Sequence, residues 1–299
     1  MSDGSKPGTL QRLKHAIDQT QELRLRIERT RTRTPLLDAS FEVIERDSHV
    51  GGSILAGALA YRLFLFFLPL GFFLIAMLGL VARWTGTKPH GIAKNIGVVS
   101  LVTREVGETS QKGSGVWVAL VSIVVLAYVT TVLHRAVAVV HALAWENTAL
   151  PAKSGRSRKI FALGIAAQLV TIGLLGGFRP EATLEYVLLL AALGAVLGIV
   201  WLGMSLRLPH AAAPWTDLIP GAILYGAGLL CVRAFDRYLL GVLQEQRRNS
   251  YGTLGTASAI LLSLFLIGRL VVASAVINAT LSARRRGRNE ELSAAGTDV

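Results

Sequence analysis

The chain has 299 residues, of which 52% are hydrophobic and only 17% are charged, and its mean hydropathy is +0.50. This composition is too apolar for an ordinary soluble domain of that length, so it argues against a soluble enzyme. In a soluble protein, the formal net charge of +12 would suggest nucleic acid as a partner. The single cysteine, Cys231, excludes an intrachain disulfide and a cysteine-based metal site.

The first fifty residues are polar and charged, without the apolar core and cleavage site of a signal peptide, and the first 33 of them form a basic segment. Leucines and isoleucines recur there near helical spacing among arginines and lysines, which is typical of an amphipathic helix. Two interpretations stay open: a helix that lies on an anionic leaflet, and a solvated arm that only sets the topology. Thr34 and Pro35 then fit the N-cap and the first residue of a second, short helix.

Six later stretches are long and apolar enough to cross a bilayer, which takes about 20 mostly apolar residues. They cover residues 53–82, 116–144, 160–178, 183–202, 216–240 and 252–281. The sequence therefore predicts an all-α polytopic membrane bundle with six transmembrane helices. We divide the chain into a basic head (1–33), a transmembrane domain (34–282) and a polar basic tail (283–299).

The placement of lysine and arginine predicts the orientation of this bundle. With the amino terminus in the cytoplasm, the cytoplasmic side carries nine of them before residue 53, four at 152–159, one at Arg207 and four in the tail, 18 in all, against eight on the other side. This positive-inside asymmetry predicts that both termini are cytoplasmic. Because topology accounts for most of the basic charge, we expect no nucleic-acid partner and take membrane lipids as the expected partners.

Two prolines fall within the predicted spans. Pro69 lies inside the first span and Pro220 in the first turns of the fifth. Each removes a backbone donor, so kinks are expected at both positions.

Ionisable side chains inside the spans are the main functional signal, because charge is costly in hydrocarbon. Arg233 and Asp236 are three residues apart, so they can pair along one helix face. Arg62, Arg135 and Arg269 then have no obvious acidic partner, and a guanidinium cannot lose its charge. We predict a cationic cavity for an anionic amphiphile or a small organic anion, with snorkelling or carbonyl capping as the alternative. The candidate cavity residues are Arg62, Arg135, Arg269, Arg233, Asp236 and Tyr61.

Other polar residues in the spans are interpreted structurally. The side chains suited to interhelical hydrogen bonds are Gln168, Asn278, Tyr61, Tyr128 and Tyr225. His134 and His141 share a helix face, but a spacing of seven is too long for one ion without bending, so packing is favoured over a metal site. Gly194 and Gly198 have the GxxxG spacing, which permits close helix approach inside one subunit or, in a homo-oligomer, between two.

No motif for an enzyme or a cofactor is found. The sequence has no phosphate-binding GxxxxGK[ST], no GxSxG elbow, no HExxH and no pair of intramembrane aspartates of a proteolytic type. We expect neither catalytic residues, nor a metal, nor a cofactor.

Three segments in order carry a resemblance to a known family: ALAYRLFLFFLPLG at 58–71, LPHAAAPWTDLIPGA at 208–222, and SYGTLGTASAILLSLFLIG from residue 250. The chain resembles the YihY/virulence factor BrkB family of bacterial inner-membrane proteins over residues of roughly 40–282. The structural motif positions are Pro69, Trp215, Pro220, Gly221, Tyr251, Gly252 and Gly255. The sequence departs from the family at Phe66, where serine is common, and at Ser274, Ala275 and Val276, where a Gly-Ala-Glu run is common.

The resemblance implies six spans with both termini inside, in the inner membrane, and no settled activity. Members were once labelled ribonuclease BN, but no metal-ligand cluster or cytosolic catalytic domain supports a nuclease here. Our first hypothesis is a transporter or lipid-handling protein for an anionic amphiphile or organic anion. The alternative is a non-transporting membrane scaffold whose basic head recruits lipid or a protein partner.

Overall fold

The computed structural model describes residues 35–85, 115–146, 155–177, 183–211, 213–236 and 252–297. All regular structure in these residues is helical, with no strand, which confirms the all-α prediction. The chain divides into two units, residues 1–46 and 47–299. The helices are α1 (Pro35–Val50), α2 (Gly52–Thr85), α3 (Gly115–Ala144), α4 (Gly155–Gly177), α5 (Thr183–Ser205), a 3₁₀ turn (Trp215–Leu218), α6 (Ile219–Phe235) and α7 (Gly252–Thr297).

Five helical segments of the described residues are long and apolar enough to cross a membrane: Gly52–Met77, Val116–Ala144, Leu184–Ser205, Trp215–Phe235 and Ser258–Ser293. The third predicted span is also helical, as α4, but it is not among the five. A multi-pass membrane bundle is therefore supported, while the count of six spans stays a prediction.

The short helix predicted at Pro35 is confirmed, because α1 begins at that residue. It ends at Val50, and Gly51 then adopts φ +70°, the left-handed conformation that glycine enters without steric cost. This residue turns the chain into α2, which starts one position later. The predicted amphipathic helix in the basic head lies outside the described residues.

The two prolines behave differently. Pro69 lies inside α2, which is assigned as one continuous helix from residue 52 to 85. Pro220 does not interrupt a helix, because α6 begins at Ile219 and the proline occupies its first turn. The backbone donor that proline lacks has no intrahelical acceptor at that position in any case. The predicted kink at Pro220 is therefore wrong.

Helices α5 and α6 approach each other through small residues. A Cβ added to Gly226 would lie far inside van der Waals distance of the Gly194 carbonyl oxygen, and one added to Gly198 would lie 2.9 Å from the Ala222 carbonyl oxygen. The GxxxG spacing at Gly194 and Gly198 thus serves contact within one subunit, one of the two arrangements left open by the sequence.

The start of α6 is held by a side chain from α7. The backbone N–H of Gly221 donates to Asn278 Oδ1 at 2.7 Å, and Asn278 is only 1% exposed. The first N–H groups of a helix have no intrahelical acceptor, so the Asn278 amide satisfies one of them from a neighbouring helix. This explains a fully buried asparagine and confirms the predicted interhelical hydrogen bonding by Asn278.

The last helix is longer than its apolar segment. α7 has 46 residues and continues to Thr297, so the tail predicted as a separate segment at 283–299 is helical as far as residue 297. Arg285, on this extension, donates to Asp217 Oδ1 at 2.6 Å. The carboxylate of Asp217 is buried in the 3₁₀ turn, with 5% of the side chain exposed.

Replacing Arg285 with glutamine should destabilise the protein, because the buried Asp217 carboxylate loses its charged partner. The expected loss is about 1–3 kcal/mol of unfolding free energy. Thermal unfolding of the detergent-solubilised protein measures it, with Arg286→Gln as the control, since Arg286 is exposed and adjacent. Equal melting temperatures for the two variants would show that the ion pair contributes nothing.

Candidate functional site

A cavity of about 100 Å³ lies among the six helices α2 to α7. Helix α7 packs against α2, α3 and α6, and α5 packs against α4 and α6. The walls are almost wholly apolar and aromatic, with an amide, a phenol, an indole and a thioether as the polar groups. The lining residues are Leu59, Leu63, Phe66, Phe67, Leu133, Val137, Phe161, Ile165, Gln168, Leu169, Ile172, Trp201, Met204, Tyr225, Leu229, Ile267 and Val271.

A stacked aromatic pair forms one part of this central cavity. The rings of Trp201 and Tyr225 have centroids 4.1 Å apart and planes at 13°. Trp201 Nε1 donates to Ser274 Oγ at 3.1 Å, and the Tyr225 hydroxyl donates to Gln168 Oε1 at 3.2 Å. These bonds satisfy the polar tips of both rings, so the pair is fixed to α4 and α7 and presents a rigid flat surface.

The amide nitrogen of Gln168 has a poor partner. It faces the Met204 sulphur at 4.0 Å, and Gln168 is only 9% exposed. A thioether is a weak acceptor, so this buried donor is largely unsatisfied by the part of the chain that the structure describes.

Four basic residues lie on α3 and α4 within five positions of a cavity-lining residue. We call the exposed residues Arg135, Arg156, Arg158 and Lys159 the basic rim. His134 joins the rim to the cavity: its ring contacts the ring of Phe161, with centroids 5.1 Å apart, and its Nε2 lies 3.0 Å from Ser157 Oγ. Arg135 and Arg158 are both close enough to His134 for their charges to act on it.

The cavity does not have the composition that the sequence predicted. Its lining includes none of the six candidate residues. Arg62 is the closest by position, since it follows Leu59 and precedes Leu63 on α2, and its Nη1 donates to the Val132 carbonyl at 3.3 Å. Tyr61 is 62% exposed on the same helix. The alternative of carbonyl capping thus describes Arg62 better than a position inside the cavity.

Arg269 is not without an acidic partner, so that prediction was wrong. Its Nη1 and Nη2 donate to the two carboxylate oxygens of Asp47, each at 2.6 Å. A Cβ on Gly52 would collide with both side chains, so the glycine makes room for the pair. The acid lies 222 positions earlier in the chain, before the first span.

Arg233 and Asp236, which the spacing would allow to pair, each find a partner on another helix instead. Arg233 Nη1 donates to the Ile172 carbonyl of α4 at 3.3 Å, and Asp236 accepts a hydrogen bond from Ser263 Oγ of α7. These contacts tie the end of α6 to both neighbours instead of forming an ion pair along its own face.

The histidines behave as packing residues. His141 is 1% exposed, and its Nδ1 lies 3.0 Å from the Val137 carbonyl, four residues earlier. Within the residues that the structure describes, no group of three metal-ligating side chains occurs. His134 and His141 have different partners and are not brought to a common point.

The sequence located part of this site. It singled out Gln168 and Tyr225 as interhelical hydrogen-bonding residues, and the bond between them confirms this. It missed Trp201, because an aromatic residue in an apolar span has no distinguishing signal before its stacking partner is known.

The motif positions lie mostly away from the cavity. Pro69 is inside α2, Trp215 is exposed in the 3₁₀ turn, and Gly221 is at the α6–α7 contact. Gly252 begins α7 and Gly255 lies in its first turn, while Tyr251 lies outside the described residues. The motifs therefore mark helix starts and helix contacts.

The family model described as Virulence factor BrkB matches residues 43–298, which is most of the chain. No curated protein and no solved structure was found to match. The matched range includes all helices from α2 to α7 and thus the whole central cavity. The chain therefore belongs to the virulence factor BrkB family, the YihY family of the sequence resemblance.

Proposed function

We propose that this protein binds and moves an anionic amphiphile, as a transporter or lipid-handling protein of the cytoplasmic membrane with six spans and both termini in the cytoplasm. The observation that carries the proposal is the juxtaposition of an apolar cavity and a cationic surface. Phe161 of the cavity wall contacts His134, and Arg135 and Arg158 of the basic rim are close enough to His134 for their charges to act on it.

This arrangement fits the two ends of an amphiphile. Apolar walls favour a hydrocarbon chain, because burying apolar surface is favourable at about 25 cal/mol per Å². Arginine binds phosphate through several donors in a fixed plane, so the rim suits a phosphate head group. The proposal differs from the sequence hypothesis in that the rim supplies the charge and the cavity takes the chain.

Most of the rim lies in a segment that is predicted to be cytoplasmic. Arg156, Arg158 and Lys159 belong to the segment assigned to the cytoplasmic side by the count of basic residues. Anionic lipids are attracted to basic segments next to a membrane, at about 1 kcal/mol per lysine or arginine near the surface. A head group that enters from the inner leaflet would thus meet the rim first.

The test compares Arg135→Gln/Arg158→Gln with wild type in native mass spectrometry. Phosphatidylglycerol and phosphatidylcholine with identical chains are offered together to the full-length protein. Wild type should retain more phosphatidylglycerol, and the double variant should lose most of that preference. In vesicles, the movement of fluorescent phosphatidylglycerol between leaflets, followed by dithionite quenching, should slow in parallel.

The matched control is Arg286→Gln/Arg288→Gln, which removes the same charge from the exposed extension of α7. It should keep both lipid preference and leaflet exchange. If both double variants behave alike, the rim has no specific role. The scaffold alternative predicts that deletion of residues 1–33 abolishes the recruitment of lipid or of a protein partner. It also predicts that leaflet exchange is absent even in wild type.

A further inference from the structure

We infer that the central cavity recognises the ester carbonyl of an acyl chain, so that the amphiphile is an ester-linked lipid. This inference rests on the proposed function and specifies its substrate class. Gln168 is the one residue of the cavity lining that carries an amide side chain.

The Gln168 amide is oriented by its neighbours. Its oxygen accepts from the Tyr225 hydroxyl at 3.2 Å, which leaves the NH₂ group as the free end. Within the described residues this NH₂ group meets only the Met204 sulphur, at 4.0 Å. A buried donor with so weak an acceptor costs stability, and a ligand oxygen in the cavity removes that cost.

The required ligand group is a neutral acceptor. None of the residues that line the cavity is charged, so a phosphate or a carboxylate would be buried without a counter-ion. A cation would meet the donor end of the amide and be repelled. An ester carbonyl is uncharged, accepts hydrogen bonds and lies at the start of an acyl chain.

The size and the surroundings of the cavity select a lipid. A volume of about 100 Å³ holds a short part of a chain, since an apolar cavity of about 150 Å³ holds one benzene molecule. The rest of the chain must then extend between the helices, whose outer surfaces are apolar: Val124, Leu163 and Ile199 are each 67–71% exposed. Membrane lipid is the chemistry that such a surface meets.

The experiment compares lipids that differ only in the linkage. Diester phosphatidylglycerol and its diether analogue, with the same chains and head group, are offered at equal concentration to the full-length protein in native mass spectrometry. Wild type should bind the diester about three- to tenfold more, which corresponds to one hydrogen bond. Gln168→Leu should bind both lipids equally.

Thr171→Val is the matched control on the same helix. The Thr171 hydroxyl bonds the Ala167 carbonyl within α4 and Thr171 does not line the cavity, so the preference for the diester should remain. If Gln168→Leu does not fold, the wild-type comparison of the two linkages decides alone.

Equal binding of diester and diether by wild type would overturn this inference. Equal binding is also the result expected if only water fills the cavity. If phosphatidylglycerol is still preferred over phosphatidylcholine in that case, the proposed function stands without it. If neither linkage nor head group matters, both are wrong.

Discussion

Replacing Gly226 with alanine should separate α5 from α6 and lower the stability of the protein. The new Cβ would overlap the Gly194 carbonyl oxygen and lie 3.1 Å from the Gly198 nitrogen. Both are backbone atoms, so no side chain can rotate away and the helices themselves must move. Overpacking of this kind costs about 1–3 kcal/mol. The measurement is thermal unfolding in detergent, followed by circular dichroism and by size-exclusion chromatography after heating.

Gly203→Ala is the control for this substitution. Gly203 lies on α5 as well, is exposed, and a Cβ there would meet nothing within 4 Å. Alanine is the better helix former by up to about 1 kcal/mol, so this variant should melt at the wild-type temperature or above. A melting temperature of Gly226→Ala as high as that of Gly203→Ala would contradict the close packing of α5 and α6.

Replacing Asp47 with asparagine should also destabilise the protein, because the Arg269 guanidinium on α7 would keep its charge without an acidic partner. The two bonds of 2.6 Å form a bidentate pair, the strongest geometry for arginine and carboxylate. The side chain of Arg269 is 36% exposed, so water offsets part of the loss. We expect a cost of about 1–3 kcal/mol, measured as a lower unfolding temperature.

The double variant Asp47→Asn/Arg269→Gln separates pairing from the loss of each side chain. Its loss of unfolding free energy should be smaller than the sum of the losses in the two single variants, because neither partner is left as an unpaired charge. Glu45→Gln is the control, since it neutralises an exposed carboxylate two residues earlier on α1. Strict additivity of the two single effects would mean that the ion pair has no coupling energy.

The helices could be predicted because the bilayer imposes a minimum apolar length on each span. Each of the six predicted stretches overlaps a helix within the described residues, but apolar length does not predict where α7 ends. The apolar segment ends near residue 281, whereas the helix continues through a run rich in alanine, arginine and glutamate. These residues favour helix in water as well, so the helix does not end where the apolar segment does.

The candidate site was harder to predict, because its contacts join residues that are far apart in sequence. The pairing of Arg269 with Asp47 spans 222 positions and leaves no local signal. Gln168 could be found because an amide is unusual in an apolar span, whereas Trp201 resembles its apolar neighbours. Arg156, Arg158 and Lys159 of the rim were interpreted only as determinants of topology, because the closeness of Arg158 to His134 depends on how α3 and α4 pack.

The extension of α7 has an ordered charge distribution. Arg285, Arg286 and Arg288 come first and Glu290 and Glu291 follow, with all five side chains exposed. At 1.5 Å per residue, Glu290 lies about 18 Å beyond Asn278. The potential of an anionic leaflet decays over about 8–10 Å. It attracts the arginines closest to the membrane, and it opposes any tilt of the helix that brings the more distant glutamates toward the leaflet. On such a surface we expect the extension to stand upright, with an inclination that depends on ionic strength.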